Sequence, residues 1–389
     1  MTVRRAVASA VVATLLFGDA TPALAYLKFG VSVGGRVVAV KWARTPVKYF
    51  VSDRGVTGVS SNDLQAAVGR AFATWQAAPA ASIAYQFAGF TAATANQEDG
   101  QTTLGFVARP ELNRVLASTS LLLDETTGEI AEADIFFNSA FRWSVAPSGD
   151  PNAFDVESIA VHEIGHLSGL GHSALGETEI RSDGGRRVIA AEAVMFPVAF
   201  APGNVSMRTL KADDIAGMSS LYPGSEFDGT GSISGRVTRD GRGVFGAHVV
   251  AFDPATGLLV GQFTLDDRGR FTMAGLSPGP RVIRLEPLDD ADVESFFDLP
   301  IPVDLDFRAS FHDRLVVVPR GGDSGAIEIK VVPKWGAGRG WRSRESRRCG
   351  CTRLPDWRSS RRILRPGGPR SRPAWAGSDP PRSGRATLR

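Results

Sequence analysis

Between Val37 and Asp53, apolar and aromatic residues alternate with other residues (Val38, Val40 and Trp42, then Val47, Tyr49 and Val51), a period-two pattern that predicts strand. The period then lengthens. Leu64, Val68, Phe72 and Trp75 recur at helical spacing, so a helix capped by Ser61 or Asn62 is expected to run to about Gln76. Strand character returns from Ser82 to Phe90, from Asn113 to Asp124 and, past a Thr126-Thr127-Gly128 turn, from Ile130 to Asn138. Asp155 is placed to cap a further helix. After Tyr222-Pro223-Gly224 the rhythm changes to short apolar runs: Ile233–Val237, Val244–Phe252, Leu258–Leu265, Arg270–Met273 and Arg281–Leu288. Turns rich in Asp, Gly and Pro separate them, and strands at that spacing predict a β-sandwich, with Leu315–Val318 and Ile327–Val332 as candidates to complete it.

The helix announced by Asp155 carries the densest chemistry, Val161-His162-Glu163-Ile164-Gly165-His166-Leu167-Ser168-Gly169-Leu170-Gly171-His172-Ser173, with three of the five histidines. On a helix, His162 and His166 share one face about 6 Å apart along the axis. Two imidazoles so placed can grip one tetrahedral ion at about 2.0–2.1 Å. Glu163 lies about 100° further round, off the ligand pair but within reach of a water on the ion's open side. Continued as helix, His172 would stand about 15 Å up the axis from His162, on another face. Gly169 and Gly171 supply the way back, because glycine accepts the left-handed conformation that ends a helix. Three protein nitrogens leave a fourth position for water, which marks a catalytic rather than a closed structural zinc site. Zinc lowers the pKa of bound water to about 7 and polarises a carbonyl, while Glu163 can take the proton and pass it to a leaving amine. The reaction read from these residues is hydrolysis of a peptide bond.

This stretch resembles the zinc signature of the metzincin metalloproteases, and Ser173 after the third histidine is similar to their matrixin branch. Ala193-Val194-Met195-Phe196-Pro197 resembles the matrixin Met-turn, and the segment from Leu210 through Asp213-Asp214 to Tyr222 resembles the helix that closes matrixin catalytic domains. Thr127-Gly128-Glu129-Ile130 and Ala133-Asp134-Ile135-Phe136-Phe137-Asn138 are similar to secreted bacterial matrixin-like enzymes. The resemblance implies an α+β metzincin catalytic domain, a mixed twisted sheet plus helices. One catalytic Zn2+ would sit on His162, His166 and His172, with Glu163 as general base and acid and Met195 beneath the ligands. It implies also a left-to-right cleft, a hydrophobic S1′ pocket walled by residues 197–207, and endopeptidase activity on proteins or peptides. The edge strand, roughly Leu116 to Leu122, would pair with the substrate backbone.

Departures from the vertebrate pattern matter. No histidine lies between Tyr26 and Val161, so a second, structural zinc lacks its usual ligands. Ca2+ at Asp124, Glu129 or Asp134 is weighed against ordinary solvated turn carboxylates. No propeptide is expected between signal and domain, and Arg348-Cys349-Gly350 echoes the family's cysteine switch at the wrong end of the chain. The later strands, with their Gly231-Ser232-Ile233-Ser234-Gly235-Arg236-Val237 opening and Gly269-Arg270-Phe271 hairpin, resemble the carboxypeptidase regulatory-like, transthyretin-type module. That module is read as packing on or tethering the protease. His248 and His312 within it lack paired ligands and read as structural or surface residues.

Composition adds compartment and boundaries. Arg4-Arg5, an apolar run from Ala6 to Phe17 and Ala23-Leu24-Ala25 predict a secretory signal and a mature protein outside the cytoplasm. The run is too short to span a bilayer, and no later stretch is apolar enough. The expected division is signal peptide 1–25, matrixin-like metalloprotease 26–224, all-β sandwich 229–333 and disordered basic tail 334–389. Both cysteines, Cys349 and Cys351, fall in the tail, so the folded part rests on burial and metal rather than disulfides. The net charge of +3 conceals an asymmetry: residues 334–389 hold 16 Lys and Arg against 3 Asp and Glu, a net of +13, which leaves −10 elsewhere. Arg, Gly, Pro and Ser with scattered tryptophans predict disorder there. Such a tail could bind nucleic acid, but the abrupt change after a strand reads rather as adventitious, out-of-frame translation. The expectation is a secreted, monomeric zinc endopeptidase. Its rival is a non-catalytic surface-polymer-binding protein on the same scaffold, against which an intact Glu163 beside three ligands argues.

Overall fold

The computed structural model describes residues 28–34, 36–182, 186–288, 296–297, 302–334 and 386–387. The signal read over residues 1–25 and the two cysteines lie outside the described residues, as does nearly all of the tail. Strands β1 (Gly30–Val33) and β2 (Arg36–Ala39) form an antiparallel hairpin. The alternation that begins at Val37 is thus shared between β2 and β3 (Val47–Ser52), where Val47, Tyr49 and Val51 enter the core.

Helix α1 (Ser61–Gln76) is capped by Ser60, one residue ahead of the pair expected to cap it. The reason is reciprocal bonding. The Ser60 hydroxyl accepts the Asp63 N–H at 3.2 Å while the Asp63 carboxylate accepts the Ser60 N–H at 3.0 Å. Leu64, Val68, Phe72 and Trp75 form its buried face.

Four more strands complete the main sheet: β4 (Tyr85–Thr91), β5 (Thr103–Val107), β6 (Ala117–Asp124) and β7 (Glu129–Asn138). Their order is β6-β7-β5-β3-β4, with β6 antiparallel to β7 and the other pairs parallel, so the sheet is mixed. On the outer side of β6, Ala386–Thr387 pairs antiparallel with Leu121 and Ser120.

Two short paired strands, β8 (Trp143–Ser144) and β9 (Phe154–Asp155), lead into helix α2 (Val156–Leu167). Asp155 caps α2 by accepting the Ser158 N–H at 2.8 Å, and Arg208 grips the same carboxylate with two N–H groups at 2.9 and 2.5 Å. The Trp75 indole N–H donates to the Val161 carbonyl at 2.6 Å and locks α1 against α2. Both helices pack into one core with Ile135 and Phe137 of β7. A hairpin, β10 (Gly176–Ile180) with β11 (Arg186–Ala191), follows, and helix α3 (Ala212–Leu221) comes after it.

The rest is strand: β12 (Gly231–Arg239), β13 (Arg242–Gly243), β14 (His248–Phe252), β15 (Leu259–Phe263), β16 (Arg270–Leu276), β17 (Gly279–Glu286), β18 (Ser310–Phe311), β19 (Val316–Val318), β20 (Gly322–Asp323) and β21 (Ile327–Lys330). One sheet runs β13-β12-β16, with β20 and β21 parallel to β12. The other runs β15-β14-β17-β18, with β19 also on β17. Ile233, Val249, Phe271, Ile283, Leu285 and Phe307 fill a second core. Ala216 of α3 belongs to that core, and both cores lie in a single compact unit.

Candidate metal centre

Helix α2 sets His162 and His166 side by side, ring centroids 4.8 Å apart. The helix closes at Ser168, and Gly169 follows with φ +101°, a conformation that L side chains rarely adopt. Gly171 has no such φ, so the return rests on Gly169 alone of the two glycines. The turn is also tightly seated: a Cβ at Gly169 would lie 2.2 Å from the Val40 carbonyl oxygen. The Phe29 N–H donates to the Gly169 carbonyl at 3.0 Å from beneath. Beyond the turn His172 comes back to the pair. His166 Nε2 lies 3.1 Å from His162 Nε2 and 3.2 Å from His172 Nε2. Among the described residues this is the only cluster of three or more potential metal-ligating side chains.

The hydrogen bonds around the rings say what the cluster can hold. His162 Nδ1 faces the Val194 carbonyl at 2.7 Å, and His166 Nδ1 faces the Leu170 carbonyl at 2.8 Å. A carbonyl only accepts, so each Nδ1 carries the proton and each Nε2 of a neutral ring presents a bare lone pair. Two such lone pairs 3.1 Å apart repel unless a cation lies between them. Protonating a ring is disfavoured. Burial pushes the His162 imidazole below its ordinary range, and burial together with His172 and His162 pushes His166 well below. The two spacings from His166 Nε2 are close to the roughly 3.3 Å separation of ligand atoms on a tetrahedral ion with bonds of about 2.0–2.1 Å, and all three ligand atoms lie within 4.8 Å of one another. The three imidazoles therefore fit a zinc-like cation.

Glu163 is buried beside the triad, and its Oε2 accepts the Thr119 hydroxyl at 2.6 Å. The same hydroxyl lies 3.0 Å from the Glu163 main-chain oxygen. Thr119 sits on β6 and carries no signal in the sequence beyond its place in the expected edge strand.

Met195 packs against α2 between the two helical histidines. A Cβ at Gly165 would meet Met195 Sδ at 2.2 Å and Trp75 Cζ2 at 3.0 Å, so only glycine leaves room there. The main chain of the turn is held from two sides. Ser173 N–H donates to the Met195 carbonyl at 2.8 Å, while Val194 and Met195 N–H donate to the Asp214 carboxylate at 2.8 and 3.1 Å. Burial pushes the Asp214 carboxyl up to about 6, and burial plus the charge of Asp214 pushes Asp213 up to about 7.

The carboxylates considered for calcium do not converge. Asp124 and Glu129 are cross-strand partners, but Glu129 and Asp134 stand five residues apart on β7, about 16 Å along the strand. Asp124 accepts the Thr126 N–H at 2.8 Å and the Thr126 hydroxyl at 2.6 Å, as a turn cap. Asp134 is buried and accepts N–H groups of Asn96, Gln97 and Thr103 at 2.6, 2.9 and 2.8 Å, anchoring a loop. His248 is buried against Glu286 at 3.0 Å and stacks on Phe263, and His312 lies 3.5 Å from Asp313. Neither joins the triad.

Residues 41–223 match the Matrixin family. Metalloendoproteinase 5-MMP of Arabidopsis thaliana is 41% identical over 86 residues, 22% of this chain and 19% of its own. Metalloendoproteinase 1 of Glycine max is 41% identical over 78 residues, 20% of each chain. Metalloendoproteinase 1-MMP of Arabidopsis thaliana is 28% identical over 196 residues, 47% of this chain and 44% of its own. The chain spans less than half the length of these relatives. Of solved structures, the Bacillus anthracis TIE protein aligns with a TM-score of 0.20 at 12% identity, over 27% of this chain and 17% of that one, too slight a likeness to bear on the fold. The family match and the relatives support a matrixin-type metalloprotease domain of α+β fold over residues 41–223. No helix among the described residues is long and apolar enough to cross a membrane.

Proposed function

We propose that the protein is a secreted zinc-dependent endopeptidase. His162, His166 and His172 hold the metal, Glu163 acts as general base and then acid, and Met195 underpins the ligands. The observation that carries this reading is the pair of proton-free Nε2 atoms 3.1 Å apart with a buried carboxylate on the next residue of the helix. Zinc bound by the three imidazoles would supply a water acidified to a pKa of about 7 and would polarise the carbonyl under attack. The Glu163 carboxylate takes the proton of the attacking water and returns it to the leaving amide nitrogen. Thr119 fixes the carboxylate by its Oε2, so that the group meets the water in one orientation. An extended substrate adds its backbone along the outer side of β6 in place of Ala386–Thr387, which pairs with Leu121 and Ser120 there, and residues 197–207 wall the pocket for the side chain after the scissile bond. The Arg4-Arg5 and Ala23-Leu24-Ala25 signal pattern supports secretion.

The test is Glu163→Ala, read by casein zymography with and without chelator and by metal content. Zinc should be retained while cleavage falls by about 10²–10⁴-fold or more. Undiminished cleavage would remove Glu163 from the chemistry. Purified wild-type protein that takes up no zinc would end the metal reading. Wild-type protein that binds zinc and a surface polymer but cleaves nothing would favour the non-catalytic alternative.

A further inference from the structure

Helix α2 places only two of the three histidines. His172 arrives on a segment that follows a glycine turn, and Met195 arrives on another loop, so neither position is set by helix geometry. Both segments lie against the C-terminal sheets. Asp213, at the start of α3 and 4% exposed, accepts the Gly261 N–H at 2.8 Å through Oδ1 and also bonds the Ser173 side chain. Gly261 lies on β15, the end strand of its sheet, so this N–H points away from β14 and finds its partner in the carboxylate. Two apolar contacts flank the bond. Leu175 and Ala193 cluster with Val250 of β14, and Phe196 clusters with Phe263, Leu288 and Phe296. A small cavity where they meet is lined by His172, Ser173, Met195, Asp213, His248 and Gly261.

We propose that the C-terminal sheets are a positioning element of the metal site rather than a tether. The Asp213–Gly261 bond, with the Leu175 and Phe196 contacts, holds the segments that deliver His172 and Met195 in register with α2. A tether needs no buried carboxylate, since burying one costs free energy that only specific hydrogen bonds offset. The fit is also close. A Cβ at Gly261 would meet His248 Nε2 at 2.6 Å and Leu175 Cγ at 3.2 Å. The inference rests on the zinc reading above, and the experiment separates the two.

The test uses the full chain. Zinc affinity is measured by competition with a chromogenic chelator, and ligand geometry by the visible spectrum of the Co2+ form. Wild-type protein is titrated first; if it binds neither ion, the zinc reading fails before any variant is compared. Asp213→Ala should weaken zinc by about 10–100-fold and alter the Co2+ spectrum. Asp213→Asn keeps an acceptor for the Gly261 N–H and should stay within about 3-fold of wild type. Gly261→Ala, which presses from the other side, should resemble Asp213→Ala. Leu175→Val, a milder change at the same contact, is the measure should Asp213→Ala fail to fold, and should still weaken zinc by a few fold. Wild-type affinity and spectrum in folded Asp213→Ala, or in Leu175→Val, would overturn the inference. An Asp213→Asn as weak as Asp213→Ala would overturn it too, because the charge and not the Gly261 contact would then be responsible.

Discussion

Replacing Gly169 by alanine tests the turn on which the third histidine depends. Three costs can be read from the structure. Holding an alanine at φ +101° costs about 1–3 kcal/mol in backbone strain. The new methyl would lie 2.2 Å from the Val40 carbonyl oxygen, a main-chain atom that cannot swing aside, and overpacking of this kind costs about 1–3 kcal/mol. Moving the turn to relieve either one gives up the Phe29 N–H bond to Gly169, about 0.5–1.5 kcal/mol. With the turn held in place the loss is about 2–6 kcal/mol against a whole-domain stability of about 5–15 kcal/mol. Urea unfolding of metal-free and zinc-saturated protein gives both numbers needed. The metal-free variant should lose the full amount, and the increment from zinc, which reflects affinity for the folded state, should shrink as His172 is displaced. A loss under about 1.5 kcal/mol with an unchanged zinc increment would refute the argument.

Three further outcomes follow from other contacts. Gly165→Ala should destabilise by about 1–3 kcal/mol through Met195 and Trp75, less about 1 kcal/mol gained in helix propensity; a higher melting temperature would contradict that packing. Asp155→Ala removes a helix cap and the charge-assisted bonds to Arg208, which keeps the Ala146 and Pro147 carbonyls and Glu157, so denaturant unfolding should show a loss of about 2–5 kcal/mol, and a loss below about 1 would show the pair to be dispensable. For pH, burial raises Asp213 to about 7 and Asp214 to about 6 from an ordinary 3.8. The folded state therefore binds more protons than the unfolded state between those values. The pair's contribution is fully present below about pH 4 and is lost as pH rises through 7, with Asp213 worth on the order of 4 kcal/mol. Metal-free Asp213→Asn should flatten this slope between about pH 4 and 8, and an unchanged slope would assign the pH dependence elsewhere.

The metal cluster was legible because its information is local. Helical spacing of His162 and His166 and one glycine place three imidazoles within eleven residues, and the structure brings those three together. Elements defined by distant neighbours were not legible. β5 is five residues long with Gly105 at its centre, where a Cβ would lie 2.7 Å from Ser52 Cβ, so the glycine reflects close approach of β3 rather than a turn. The β10–β11 hairpin carries Glu177, Glu179, Arg186 and Arg187 and leaves Ile180 and Ile189 exposed, so no apolar alternation marks it as strand. Thr119 acquires meaning only from the carboxylate 44 positions away, and Asp213 from an amide 48 positions away. The cap of α1 fell one residue short of the expected pair because Ser60, Ser61 and Asn62 all suit the role, and Asp63 decides between them.

The anchoring of Asp134 has a consequence for what the molecule needs from its environment. Three main-chain amides of one loop and the start of β5 meet its two oxygens, and the Gly100 N–H meets Glu132 nearby at 2.6 Å. Oriented dipoles thus compensate the negative charge from within, and the loop between β4 and β5 inherits its shape from folding itself. Fluctuations in the ionic make-up of the surroundings should leave that region indifferent. Among the described residues, the cluster of side chains that could hold a metal ion is that of His162, His166 and His172.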